Sequence, residues 1–116
     1  MAADRQGRQV DDWRSPGGAR PVKGFIDGLS KPVKAKVGAA LAMLEELGNR
    51  LHLPHSRALG GGLFELRITH SEGPFRVVYC YLPGRRIVLL HAFVKRTREI
   101  PKSDLDLARA RKPAGD

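Results

Sequence analysis

The amino-acid sequence predicts an α+β fold: two helices in the N-terminal half packed on a three- to four-stranded antiparallel sheet, with a short C-terminal helix after it. Three observations predict it. Residues 63–98, LFELRITHSEGPFRVVYCYLPGRRIVLLHAFVKRTR, hold the chain's only long apolar runs, and turn signals divide them into three strands. Upstream, Val33, Val37, Leu41, Leu44 and Leu47 recur at helical spacing. The sheet segment also carries seven basic residues against two acidic ones, so +5 of the chain's formal +9 lies there. A sheet with a core beneath it and that excess of positive charge suits an anionic partner.

Taken in order, residues 1–21 are polar, with Ser15-Pro16-Gly17-Gly18 as a turn cluster, and Gln9 to Arg14 offers at most a short edge strand. Pro21 to Leu29 reads as a short helix with Val22, Phe25, Ile26 and Leu29 on one face, ended by Gly28 and Ser30. Ser30 then caps the second helix, Pro32 is tolerated in its first turn, and Gly48 closes it. Neither apolar face is wide enough for a two-helix core, so both require a sheet. Residues 49–62, NRLHLPHSRALGGG, read as a mobile surface connector carrying His52, His55 and the cations Arg50 and Arg57. Its three glycines are not a phosphate-cradling loop, because no lysine–threonine pair or helix follows them.

In the first strand Phe64, Leu66 and Ile68 alternate with Glu65, Arg67 and Thr69, the pattern of one buried and one open face. A turn over His70 to Gly73 sets Arg67 opposite Arg76, Leu66 opposite Val77 and Phe64 opposite Tyr79. Two arginines facing each other are costly unless an anion sits between them. A tight turn at Leu82-Pro83-Gly84-Arg85 returns the chain as Ile87 to Val94. That turn sets His91 across from Arg76, and Leu89, Phe93 and Lys95 on the same face, which is therefore partly apolar and expected to be partly covered, a placement that a one-residue slip would undo. Ser103 opens the last helix with Asp106 at the capping-box position; Arg109, Arg111 and Lys112 sit towards its C-terminal end, and residues 112–116 are expected to fray.

Residues 1–116 make one domain with one modest core. No run approaches the roughly 18 apolar residues of a membrane span, and Met1-Ala-Ala-Asp leads into no signal-peptide core, so a cytoplasmic protein without membrane contact is expected. Cys80, inside VVYCYL, reads as a small buried side chain. His52, His55, His70 and His91 lack ligand spacing, so neither a metal nor another cofactor is expected. A paired-carboxylate site, a nucleophile elbow and a dinucleotide fingerprint are absent from the sequence.

A cationic cleft remains. Such a cleft can bind nucleic-acid phosphates, and it can cut RNA, because the 2′-hydroxyl is an internal nucleophile. The protein then has to orient that hydroxyl, stabilise charge on the phosphorane and move two protons. Arginine supplies a fixed fork of donors but not a base, whereas a lysine crowded by cations, or a histidine, can carry protons. On this logic Arg67 and Arg76 clamp the phosphate, Arg96 stabilises charge, and Lys95 or His91 moves a proton. Arg57, His55, Arg98 and Lys102 are further candidates for contacting RNA.

The order of two helices, then LFELRI, FRVVY and IVLLHAFVKRT ahead of a proline and a short helix, resembles the HigB-like, phage-derived branch of the RelE/ParE toxin superfamily. The resemblance runs from about Pro21 to Arg111. It implies a compact RelE-like fold, a helix-turn-helix (HigA-like) antitoxin as partner, and cofactor-free cleavage of mRNA on the ribosome. The family's basic site positions then fall on Arg67, Arg76, Lys95 and Arg96. Two positions depart from the pattern: Glu65 stands where a second basic residue belongs, and Lys102 stands roughly where a tyrosine belongs. The proton carrier is left open among Lys95, His55 and His91. Functionally, a ribosome-dependent endoribonuclease stands against a gyrase inhibitor or basic binding module on the same fold, and against an inactive remnant.

Overall fold

The computed structural model describes residues 8–113. In chain order these form β1 (Gln9–Asp12), α1 (Pro21–Asp27), α2 (Lys31–Leu47), a 3₁₀ turn (Gly48–Arg50), β2 (Ser56–Gly60), β3 (Leu63–His70), β4 (Gly73–Leu82), β5 (Arg86–Val94) and α3 (Lys102–Arg111). The strands make one sheet of order β1-β5-β4-β3-β2. The α+β class and the two N-terminal helices agree with the sequence reading, but the sheet is mixed and has five strands rather than three or four. The parts of the expected frayed tail and of the N-terminal stretch that fall on 114–116 and 1–7 lie outside the described residues.

β1 falls in the stretch read as at most a short edge strand, and β2 in one read as a connector. β1 pairs in parallel with β5, Val10 opposite Ile87 and Asp12 opposite Leu89. Arg20 fastens its end to the start of α1 through Asp12, Nη2 to Oδ1 at 2.6 Å. β2 arises inside the supposed mobile connector and runs antiparallel to β3, Arg57 opposite Glu65. Its inward residue is not apolar: the Ser56 hydroxyl lies 2.6 Å from the Tyr79 hydroxyl in the core. Alternation of apolar residues therefore could not reveal the strand. We expect Ser56→Ala to lower stability by about 1 kcal/mol through the lost hydrogen bond, read as a lower urea midpoint with an unchanged slope.

Of the helices, α2 is capped as the sequence implies. The Ser30 hydroxyl accepts from the Val33 amide at 3.4 Å. Gly48 ends α2 at φ 53°, where a side chain would also collide with the Arg8 guanidinium. α3 starts two residues earlier than the capping box at Ser103 and Asp106 implies, at Lys102 after Pro101, without a side-chain cap. Proline's fixed φ and missing donor suit that entry to the helix.

The sheet carries a core on each face, and the second is only partly covered, as its apolar residues imply. On one face Leu66, Ile68, Phe75, Val77, Tyr79, Ile87 and Leu89 pack against Val22 of α1 and Val33, Val37 and Leu44 of α2. On the other, Leu63, Val78, Cys80, Val88, Leu90 and Phe93 pack with Ala108 of α3, flanked by Trp13, Leu59, Ile100 and Leu105. Cys80 is buried there, as the sequence suggests. None of the described helices is long and apolar enough to cross a membrane.

The β3–β4 register is the expected one, with Arg67 opposite Arg76, Leu66 opposite Val77 and Phe64 opposite Tyr79. The β4–β5 register is not. An irregularity at Leu90 lets Val78 pair with His91 while Tyr79 pairs with Leu89, so Phe93, not His91, stands opposite Arg76. The extra residue turns Leu89 to the helix side while His91 and Phe93 remain on the face of Arg76. The hairpin before it spends three residues, Pro83 to Arg85, with Arg85 at φ 61°.

Candidate functional site

The alternation of β3 places Glu65 and Arg67 on the same sheet face, and the β3–β4 register adds Arg76 beside them. β2 brings Arg57 directly opposite Glu65. The four side chains meet. Glu65 Oε1 lies 3.4 Å from Arg57 Nε and 3.5 Å from Arg67 Nη1, and its Oε2 lies 3.3 Å from Arg76 Nε. The anion required between two facing arginines is thus the protein's own carboxylate, not only a ligand.

Burial grades across this cluster. Glu65 is 0% exposed and Arg76 5%, while the side chains of Arg67 and Arg57 are 29% and 45% exposed. Burial holds the Arg76 guanidinium below its ordinary pKa; Glu65 opposes that shift, and Arg67 and Arg57 add to it. Arginine starts high enough to stay protonated regardless. Three guanidiniums against one carboxylate leave the cluster at a net +2 with its outward side open.

The contacts are loose. All three separations exceed the about 2.7–2.9 Å of a tight charge-assisted hydrogen bond. Glu65 Oε2 and Arg76 Nε are both buried without a hydrogen bond of good geometry among the described residues. Among the described residues the Arg76 fork is held by a hydrogen bond from Nη1 to the Phe75 carbonyl at 2.9 Å. Donor capacity on the arginines is therefore unspent, and an incoming anion can share it with Glu65.

Two clefts flank the cluster. One of about 330 Å³, between α2 and β3, is lined by Arg67, His55, Lys36 and Met43. The other, also about 330 Å³, lies between β2 and the segment leading into α3, with Arg57 and Arg98 on its walls. Of the candidates read from the sequence, the structure thus unites Arg67, Arg76 and Arg57, sets His55 beside Arg67, and sets Arg98 beside Arg57.

The remaining candidates are engaged elsewhere or stand apart. His91 Nε2 lies 2.6 Å from Asp104 Oδ1, its ring stacked on Phe93, where it ties α3 to β5. Lys95 Nζ donates to the Arg98 carbonyl at 2.6 Å and so braces the turn after β5. Lys102 pairs with Asp106 at 2.6 Å on the exposed face of α3. Arg96 is exposed and makes no ion pair among the described residues.

The residue that sequence reasoning missed is Glu65. The signal was present: Glu65 and Arg67 are two apart in a strand, hence on one face. Its meaning was hidden because β2, which adds Arg57 and seals that edge, was read as a loop.

Comparison with curated proteins returned no match. The sequence profile of phage-derived Gp49-like proteins (DUF891) matches residues 24–113. That span takes in most of α1, all of α2 and α3, and the sheet from β2 to β5, with every member of the arginine cluster. On that match the chain belongs to the phage-derived Gp49-like family, within the context of the RelE/ParE-like toxin superfamily.

Proposed function

We propose that the chain is the toxin of a type II toxin–antitoxin pair, of the HigB-like kind, and that it cuts mRNA on the ribosome while a HigA-like helix-turn-helix antitoxin restrains it. One observation carries the reading. Arg57, Arg67 and Arg76 converge on buried Glu65, leaving net +2 at a partly open seat. That charge matches a phosphorane better than a ground-state diester, and preorganised charge of this kind accelerates a reaction. Family membership supports the toxin role.

In the proposed reaction the RNA 2′-oxygen attacks the adjacent phosphorus while the bond to the 5′-oxygen breaks. The products are a 2′,3′-cyclic phosphate and a free 5′-hydroxyl. One proton leaves the 2′-oxygen and one reaches the departing 5′-oxygen. Arg67 and Arg57, half-exposed, hold the non-bridging oxygens, while Arg76 contributes charge from below. For the proton carrier, His55 is better placed than His91 or Lys95. It shares a cleft with Arg67, whereas His91 is held by Asp104 and Lys95 by the Arg98 carbonyl.

Brief expression followed by mapping of mRNA 5′ ends tests the reading. Cuts in register with codons are expected, reduced about 100-fold or more by Arg67→Ala, the scale on which removing one charge-stabilising donor acts. Intact transcripts accompanied by a DNA-damage response would overturn it in favour of a gyrase inhibitor.

A further inference from the structure

The cleft beside Arg57 sets an exposed carboxylate, Glu99, among its cations. Its floor is apolar, from Leu59, Ile100 and Leu105, and its walls carry Arg57, Arg98 and Glu99. Leu59, Ile100 and Leu105 are half-buried against the second core, so the floor is firm. The wall is firm too. Lys95 Nζ holds the Arg98 carbonyl at 2.6 Å, and the Thr97 hydroxyl holds the Glu99 carbonyl at 2.5 Å, which fixes the turn that presents both side chains.

Arg57 belongs to this cleft and to the phosphate seat at once, since its Nε lies 3.4 Å from Glu65. A ligand spanning both therefore has a phosphate and, next to it, a flat body with an apolar face and a polar edge. A nucleotide has that form. Its base can rest on the leucine and isoleucine side chains, as unstacked bases do on protein surfaces.

Glu99 decides which base. A carboxylate near a phosphate chain is repulsive unless it accepts hydrogen bonds from the ligand, and its two oxygens call for two adjacent donors. Guanine alone among the four bases offers them on its pairing edge, at N1 and the 2-amino group. Guanine also presents O6 and N7 as acceptors, which an arginine fork matches in bidentate fashion. Adenine and cytosine offer one donor beside an acceptor, and uracil one donor between two acceptors.

We propose that this cleft is a nucleobase subsite that selects guanine next to the scissile phosphate, through Glu99 on its donor edge and Arg98 on its acceptor edge. The inference rests on the arginine cluster being a phosphate seat, and its test separates the two. The full chain, with backbone amides assigned, is titrated by NMR with 5′-GMP, AMP, CMP and UMP in turn. GMP is expected to move the amides of Leu59, Ile100 and Leu105 and to bind about tenfold more tightly than the others, in the range one bidentate base contact provides. In Glu99→Gln the preference should fall to within about threefold, because the amide replaces one acceptor with a donor. Equal responses to all four nucleotides confined to the arginine cluster, or a guanine preference that survives Glu99→Gln, would overturn the subsite and leave the phosphate seat standing. No response to any nucleotide at either place would overturn both.

Discussion

Glutamine in place of Glu65 is expected to lower stability by about 3 kcal/mol, and to make what remains depend on added phosphate. The substitution keeps shape and removes only the carboxylate charge at a position that is 0% exposed. Arg76 would then be buried without a counter-charge, with Arg57 and Arg67 close by. Breaking a buried pair from one side is costly for that reason. An inorganic anion that binds the folded state alone restores stability by mass action. In chloride the variant should melt about 10 °C or more below the native chain, and in phosphate of equal ionic strength it should recover much of that loss. The native chain, which carries its own anion, should gain less. Equal melting of the two chains in chloride, or an indifferent response to phosphate, would show that Glu65 does not serve as the counter-ion.

Arg76→Ala is expected to remove activity and stability together. The sequence reading points the other way for stability, since it treats Arg76 as one half of a repulsive pair on an open face, whose loss is neutral or favourable. In the structure Arg76 is 5% exposed and sits 3.3 Å from a fully buried carboxylate. Its removal strips Glu65 of its most buried partner and opens a void. A cost of about 3 kcal/mol follows, moderated by Arg57 and Arg67. Cleavage should fall about 100-fold or more in protein kept folded below its new midpoint. Arg76→Lys separates the two effects: it keeps the charge, and so much of the stability, but a point charge lacks the fork. Native-level cleavage in Arg76→Ala would remove Arg76 from the site.

The sequence made the central hairpin legible because its signals are local. Alternation in LFELRI and the turn at Ser71-Glu72 fix the β3–β4 register without reference to the rest of the fold, and so place Arg67 opposite Arg76. Both helices were legible for the same reason: an opening proline in α1, a capping serine in α2, a terminal glycine and apolar residues at helical spacing in each all lie within the segment. β1 was legible only as a short edge strand over Gln9 to Arg14 and β2 not at all, because four- and five-residue strands with one inward serine or valine owe their existence to the edge they join. The displacement of His91 turns on a single extra residue at Leu90, which no composition records. The site was half-visible in consequence. The arginines could be found from charge and register, whereas the role of Glu65 needed its 0% exposure, a property of the assembled sheet and not of the strand.

The central claim is that an RNA phosphate sits among Arg57, Arg67 and Arg76, above Glu65. Arginine Nε–Hε resonances report on it directly, in a titration of the native chain with a short RNA whose 2′-hydroxyls are methylated so that it cannot be cut. The result expected is that the signals of Arg57, Arg67 and Arg76 move together along one saturable curve that weakens as salt is raised. Signals of all three that stay fixed while other basic side chains, such as those of Lys31 and Lys34 on α2, respond to the RNA would contradict it.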